Sequence, residues 1–298
     1  MSTRRKFLTT GTLAAVGTVT LPYALRAESS HRFRSLPASL AQLEKANQGR
    51  LGVAVLDTGS DERIGYHADE RFAMCSTFKM LLASAVLQRV DAGHEHLDRA
   101  VAIPAKPSLV NYSPLTEEHA GGEMTVFALC HAILTRSDNT AANLLLATLG
   151  GPDGIARFAR SIGDTVTRLD RTETTLNEAL QGDPRDTTSP TAMVGDLRTL
   201  LLGNVLSPAS RDQLTQWMVA NKTGDNSLRA GLPHDWRVGD KTGSNGETTT
   251  NDIAIIWPGN RAPVLVTAYL TECAGPEEKR KAVLAEVGRL VAACLQSA

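Results

Sequence analysis

Charge of either sign is in no excess in this 298-residue chain: 31 lysines and arginines stand against 32 aspartates and glutamates. Without a basic field, nucleic acid is not an expected partner. Cysteine is scarce. Cys75, Cys130, Cys273 and Cys294 include no CxxC pair, so their spacing supports neither a zinc knuckle nor a thioredoxin-type motif. An even count permits a disulfide in an exported chain, but buried free thiols are the plainer expectation at this length. Beyond the first 27 residues no apolar run approaches the ~18 residues of a membrane span. Internal repeats and low-complexity tracts are also missing. What remains is a chain long enough for one large or two small domains with a sizeable core.

The first 27 residues, "MSTRRKFLTTGTLAAVGTVTLPYALRA", differ in kind: a basic start, an apolar middle, and Ala27 as a small residue for a peptidase to cut at. Thr3-Arg4-Arg5-Lys6-Phe7-Leu8 resembles a twin-arginine export signal, a tag read by a receptor rather than an anchor. No cysteine sits at the cut site to take a lipid. The expectation is a signal peptide over 1–27 and a single catalytic domain over 28–298, periplasmic or secreted, off the membrane and monomeric. Its net charge would be −5, with 27 basic and 32 acidic residues.

Along that domain, "SLPASLAQLEKANQ" reads as an amphipathic helix and "LGVAVLDT" as a strand closed by a Thr58-Gly59-Ser60-Asp61 turn. From Ser76 to about Ala220 the apolar runs have helical spacing, with a Gly cap after "NTAANLLLATLGG" and Ser-Pro openings before two others. Then come three β-rich runs, "DWRVGDKTG", "NDIAIIWP" and "PVLVTAYLT", and a terminal helix from "PEEKRKAVL". Short turn-rich links favour antiparallel neighbours. The expected fold class is α/β (α+β): an antiparallel sheet made from both chain ends (about 28–66 and 221–298), flanked by helices, with a helical insertion (about 67–220). A cleft between the halves is the default active site.

"CSTFKMLL" places Ser76 and Lys79 three positions apart, on one face of a helix. A serine hydroxyl attacks only when a neighbour takes its proton, and a lysine desolvated among apolar residues can do so. A helix start also offers free N–H groups to an oxyanion. Alone, SxxK is more often a cap and a surface cation. "TRSDNTAAN" puts Ser137, Asp138 and Asn139 at a break between helices, where polar side chains can enter a cleft, although by itself the segment is better explained as an N-cap. "VGDKTGSNG" ends a strand with Lys241, Thr242, Gly243 and Ser244: a cation and two hydroxyls suited to a carboxylate, with a glycine permitting close backbone approach. Asp240 before Lys241 rules out a phosphate loop.

SxxK, SDN and KTG in this order, about 60 and then about 100 residues apart, form the motif set of class A β-lactamases and penicillin-binding proteins. The chain resembles a class A serine β-lactamase over essentially its whole mature length, and the β-lactamase/transpeptidase-like fold is what that resemblance implies. "RLDRTETTLNEALQGDPRDTT" separates the two enzyme types. Glu173 and Asn177, four apart, resemble the family's ExxxN element that holds the deacylating water, and Arg171 and Asp186 match the ion pair at the neck of its loop. Tyr112 matches the aromatic residue at the cleft rim.

The resemblance further implies Ser76 as nucleophile, Lys79 or Glu173 as acylation base, and Ser137 as proton relay. The backbone N–H groups of Ser76 and Ser244 would form the oxyanion hole. Lys241, Thr242, Gly243 and Ser244 would hold the substrate carboxylate, and Asn139 the side-chain amide. A cysteine that some carbapenem-hydrolysing relatives pair with the one at Cys75 is replaced here by Asn245. Ser244 and "TTTNDIAIIWP" look more like the cefotaxime-hydrolysing subgroup, in which Arg280 would be an auxiliary carboxylate contact. "HEHLDR" approaches the zinc run HxHxDH of metallo-β-lactamases, but Arg99 replaces the last histidine and a cation opposes a metal. No metal or organic cofactor is expected, and the expected partner is a small β-lactam substrate. The rival activities are a D,D-peptidase and a non-hydrolysing penicillin-binding sensor.

Overall fold

The computed structural model describes residues 32–296, and the export signal expected over 1–27 lies outside them. The chain begins with helix α1 (Leu36–Asn47), whose Pro37 sits in its first turn where no N–H is needed. Strand β1 (Arg50–Asp57) follows, then a turn in which Asp57 accepts the N–H of Gly59 at 2.9 Å, and strand β2 (Glu62–Tyr66). The last third supplies β7 (Arg237–Ser244), β8 (Thr250–Trp257), β9 (Val264–Thr271) and the terminal helix α8 (Glu277–Gln296). These five strands make one sheet in the order β2-β1-β9-β8-β7, antiparallel at every pairing. The sheet is therefore assembled from both chain ends, as the sequence predicts.

Both faces of the sheet are covered, and the side chains divide between them with the strand period of two. Leu51, Val53 and Val55 of β1, Ala254 and Ile256 of β8, and Val264, Val266 and Leu270 of β9 join α1 and α8 in one apolar cluster. Leu56, Ile253, Ile255, Leu265 and Tyr269 face the other way, into the larger cluster built with the helices between the strands. That double burial is why the strands read as near-continuous apolar runs instead of alternating ones.

Between the strands lie α2 (Phe78–Asp91), α3 (Val126–Thr135), α4 (Asn139–Thr148), α5 (Pro152–Ser161), α6 (Pro190–Leu201) and α7 (Pro208–Val219). Helix α2 is buried from Phe78 through Leu87, apolar on nearly every side but for Lys79 and Ser84, as a central helix must be. The helical stretch also holds two short antiparallel pairs that apolar periodicity does not reveal: β3 (Phe72–Ala73) with β6 (Thr187–Thr188), and β4 (Ala100–Ala102) with β5 (Glu123–Thr125). Strand β2 was missed for a related reason, since only two of its five residues, Ile64 and Tyr66, pack on a core cluster. Among the described residues no helix is long and apolar enough to cross a membrane.

Candidate active site

Ser76 lies in a single 3-10 turn, Cys75–Thr77, that leads into α2. Cys75 has φ +45°, a left-handed conformation that costs a non-glycine residue of order 1–3 kcal/mol and is held only by surrounding structure. Strand β7 runs against this turn. A Cβ on Gly243 would come within 2.7 Å of the Met74 carbonyl and 3.2 Å of the Ser76 nitrogen, so only glycine lets the strand carrying Ser244 lie beside Ser76.

Lys79, the second residue of α2 and one turn on from Ser76, is wholly buried. Its Nζ is 2.9 Å from Ser76 Oγ, 2.8 Å from the Ser137 carbonyl, 2.6 Å from Asn139 Oδ1, 3.4 Å from Ser137 Oγ and 2.8 Å from Glu173 Oε1. Three ammonium protons face five acceptors, so every donor of Lys79 is engaged within the cluster. Burial lowers the Lys79 pKa, and it outweighs the opposing pull of Glu173.

Glu173 enters from the loop between α5 and α6. Its backbone N–H donates to Asn143 Oδ1 and its carbonyl accepts from Asn143 Nδ2, each at 2.9 Å. Oε1 accepts from Ser76 Oγ at 3.4 Å, and Oε2 accepts from Asn177 Nδ2 at 2.6 Å. Asn177 ends a 3-10 turn, Thr175–Asn177. At the neck of this loop Asp186 accepts the N–H groups of Asp170 and Arg171 at 2.7 and 3.0 Å and pairs with Arg171 Nε at 2.6 Å.

The SDN segment turns out to be both a cap and a wall of the site. Asp138 caps α4 through Ala141 and also accepts from Leu115 N, Thr116 N and Thr116 Oγ1, all at 2.9 Å. With Asp138 so occupied, Ser137 and Asn139 on either side are aimed at Lys79. Ser137, at φ +57°, also accepts from Lys241 Nζ at 3.2 Å. Lys241 is buried on β7, and its pKa is pushed down to about 7, by burial first and the charge of Lys79 second.

Above this cluster opens a cleft of about 960 Å³, lined among others by Ser76, Ser137, Asn139, Asn177, Thr242 and Ser244. Lys79, Glu173 and Lys241 lie one layer beneath it. Tyr112, 58% exposed, stands at its rim. Among the lining residues that no motif marks are Lys222, and Thr223, whose Oγ1 is 2.5 Å from Thr242 Oγ1. They belong to the link after α7, and only the tertiary packing of that link beside β7 brings them in.

Arg280 is a correction. Its guanidinium is fully buried and donates to Thr250 Oγ1 at 3.0 Å and to the carbonyls of Gly246, Glu247 and Gly275, pinning the β7–β8 turn. Helix α8 instead turns its neighbour Lys281 to the cleft, because the two positions are about 100° apart on a helix. All four cysteines are free and buried. In "HEHLDR", Arg99 forks onto Glu95 through Nε and a terminal nitrogen at 2.7 and 2.6 Å.

A buried serine against an amine and a carboxylate, below a cleft with cationic and hydroxyl groups, is the equipment of a serine acyl-transfer enzyme. Comparison with known proteins narrows the class. Residues 35–295 match the family described as Beta-lactamase enzyme family. Beta-lactamase Toho-1 of Escherichia coli is 49% identical over 273 residues, covering 91% of this chain and 94% of that protein. Beta-lactamase L2 of Stenotrophomonas maltophilia is 49% identical over 97% of this chain and 98% of its own. The solved structure of an ancestral (GNCA) class A β-lactamase superposes with a TM-score of 0.84 at 66% identity, covering 86% of this chain and 98% of that one. The chain belongs to the β-lactamase enzyme family, in its class A branch.

Proposed function

We propose that this protein opens the β-lactam ring of penicillins and cephalosporins through an acyl ester on Ser76 and thereby confers antibiotic resistance. Ser76 Oγ attacks the lactam carbonyl and gives its proton to the Lys79–Glu173 pair. The N–H groups of Ser76 and Ser244 receive the oxyanion, a contact worth a factor of roughly 10²–10³ per donor. Ser137, between the two lysines, passes a proton to the lactam nitrogen as the C–N bond breaks. Lys241, Thr242 and Ser244 hold the substrate carboxylate, with Gly243 allowing the strand its close approach. Asn139 takes the side-chain amide and Tyr112 packs on the bound substrate. Glu173, oriented by Asn177, then takes a proton from water, which attacks the ester and frees Ser76.

The observation that carries this reading is the carboxyl of Glu173, which reaches Ser76 on one oxygen and Asn177 on the other. Asn177 Oδ1 is buried with no donor from the protein, as suits an acceptor for a catalytic water. A D,D-peptidase or a penicillin sensor has no use for such a pair. Supporting the finer assignments are the Arg4-Arg5 motif, for twin-arginine export of a folded 28–298 domain to the periplasm or medium, and the few exposed large apolar side chains among the described residues, Tyr112, Phe127, Leu180 and Leu202, for a monomer.

Turnover of a chromogenic cephalosporin by the purified protein tests the activity, and a single stoichiometric burst would leave only the rival readings. In Glu173→Ala, mass spectrometry after exposure to a penicillin should find an accumulated acyl adduct on Ser76. An adduct-free variant would remove Glu173 from deacylation.

A further inference from the structure

Behind the loop that carries Glu173 lies a second cavity, of about 320 Å³, lined by Asp69, Asp164, Ser189, Asp196 and Thr199 among others. Two of these carboxyls are buried. Asp164, just after α5, accepts the N–H groups of Val166 and Thr167 on Oδ1 at 2.7 and 3.0 Å, and so holds the first residues of the loop. Asp196 is in the middle of α6, 3% exposed, among the buried Met193, Val194, Leu197 and Leu200 of the same helix. Its Oδ2 receives no donor from the protein, and its side chain is within hydrogen-bonding reach of Asp164. Two carboxyl groups in contact and out of water cannot both stay charged.

The surroundings do not supply the missing positive charge. Arg160 of α5 faces the pair, but its Nη1 donates to the backbone carbonyl of Asp164 and not to a carboxylate. Asp69, on the link between β2 and β3, adds another acid, and the buried Tyr269 phenol on β9 feels the charge of both carboxyls while its oxygen lies against Thr77 Oγ1. Two carboxyls also fall short of the 6–8 oxygens that calcium takes, and the described residues contain no group of three or more His, Cys, Asp or Glu placed to hold a metal.

We propose that Asp196 and Asp164 share one proton, Asp196 O–H donating to the Asp164 carboxylate, and that this bond clasps α6 to the root of the loop bearing Glu173. The position supports such a role. The loop enters beside Asp164 and leaves through Thr188 directly into α6. Its two strands are joined next by Thr167 Oγ1 to Thr188 Oγ1 at 2.6 Å, then by Arg168 N to the Thr187 carbonyl at 3.0 Å. The clasp is the innermost of these ties, beneath the Arg171–Asp186 pair. Burial, then the charge of Asp164, favours the proton on Asp196, and Arg160 opposes it more weakly.

The sign of the linkage follows. Asp196 binds its proton more tightly folded than unfolded, so the clasp's contribution is whole below the ordinary carboxylate range. It is lost as pH rises toward the raised folded value, and beyond that the slope vanishes. Asp196→Asn keeps the shape, donates N–H to Asp164 and has no proton to lose.

Thermal unfolding of the wild type and Asp196→Asn, from about pH 4 to about pH 10, should show the variant's Tm gaining on the wild type's as pH rises, then running parallel. The infrared difference spectrum at neutral pH should contain the C=O band of a protonated carboxyl, present in the wild type and absent from Asp196→Asn. Should that variant not fold, Asp164→Asn, which changes the other end of the bond, is examined for a shift of the same band. A Tm gap independent of pH together with no such band would overturn the proposal. So would a Tm rise with calcium or magnesium in the wild type that Asp196→Asn lacks, which would make the pair a cation site.

Discussion

At the scale of single residues, two buried lysines do different work because their neighbours differ. Lys79 is ringed by oxygens and pairs with Glu173 at 2.8 Å. Among the described residues, Lys241 has Ser137 Oγ and the Thr242 carbonyl within hydrogen-bond distance, and its charge also feels that of Lys79. With its pKa lowered to about 7, Lys241 is a cation below that pH and neutral above it. For a substrate held by its carboxylate, kcat/KM, which reports the free enzyme, should fall as pH rises through about 7. Bound substrate adds a negative charge beside the amine, so the same limb in kcat should lie higher. Lys241→Arg, which stays charged throughout, should abolish the limb in kcat/KM, and a pH–rate profile of the two proteins checks it.

At the scale of elements, the loop from Asp170 to Asp186 carries Glu173, the group proposed for deacylation, yet it has little regular structure. It is held by polar ties at its neck, where a fully buried Asp186 receives two backbone N–H groups and the Arg171 guanidinium. Asp186→Ala leaves those donors unmet. By the cost of breaking a buried pair it should destabilise by about 3–5 kcal/mol, a Tm drop of roughly 10 °C in a chain of this size. With Glu173 released from its position, acyl adduct should persist longer on the variant; unfolding and time-resolved mass spectrometry read the two effects. Helix α2 is the opposite case. Its burial on every side both fixes Ser76 and desolvates Lys79, so one packing arrangement serves geometry and proton affinity together.

At the scale of the molecule, the sheet separates two apolar clusters, yet its strands contribute to both. Leu197 on α6 and Leu284 on α8 are fully buried on opposite sides of it. Truncating either to alanine should cost about 2–5 kcal/mol. Because β1, β8 and β9 each place side chains in both clusters, each variant should still unfold in one cooperative transition at a lowered Tm. Calorimetry showing two separated transitions in either variant would mean that the halves fold independently.

The sequence by itself determined the order of elements, the antiparallel sheet drawn from both ends, and the residue types for the chemistry, because apolar period, turn residues and short motifs are local properties. It reached Ser76, Lys79, Ser137, Glu173 and Lys241 through such motifs. It did not reach Thr223 or Lys222, which have no local signature, nor strand β2, whose residues are mostly half-exposed. It took Arg280 for the cleft residue where the helix presents Lys281, since a shift of one position rotates a side chain by about 100°. Asp196 lies within one of the helical runs and belongs to no motif. Only the tertiary structure buried it beside Asp164, and only there are Lys79 and Glu173, 94 residues apart in sequence, brought to 2.8 Å. Distance and desolvation decide which of these groups hold a proton, and both arise when distant segments pack.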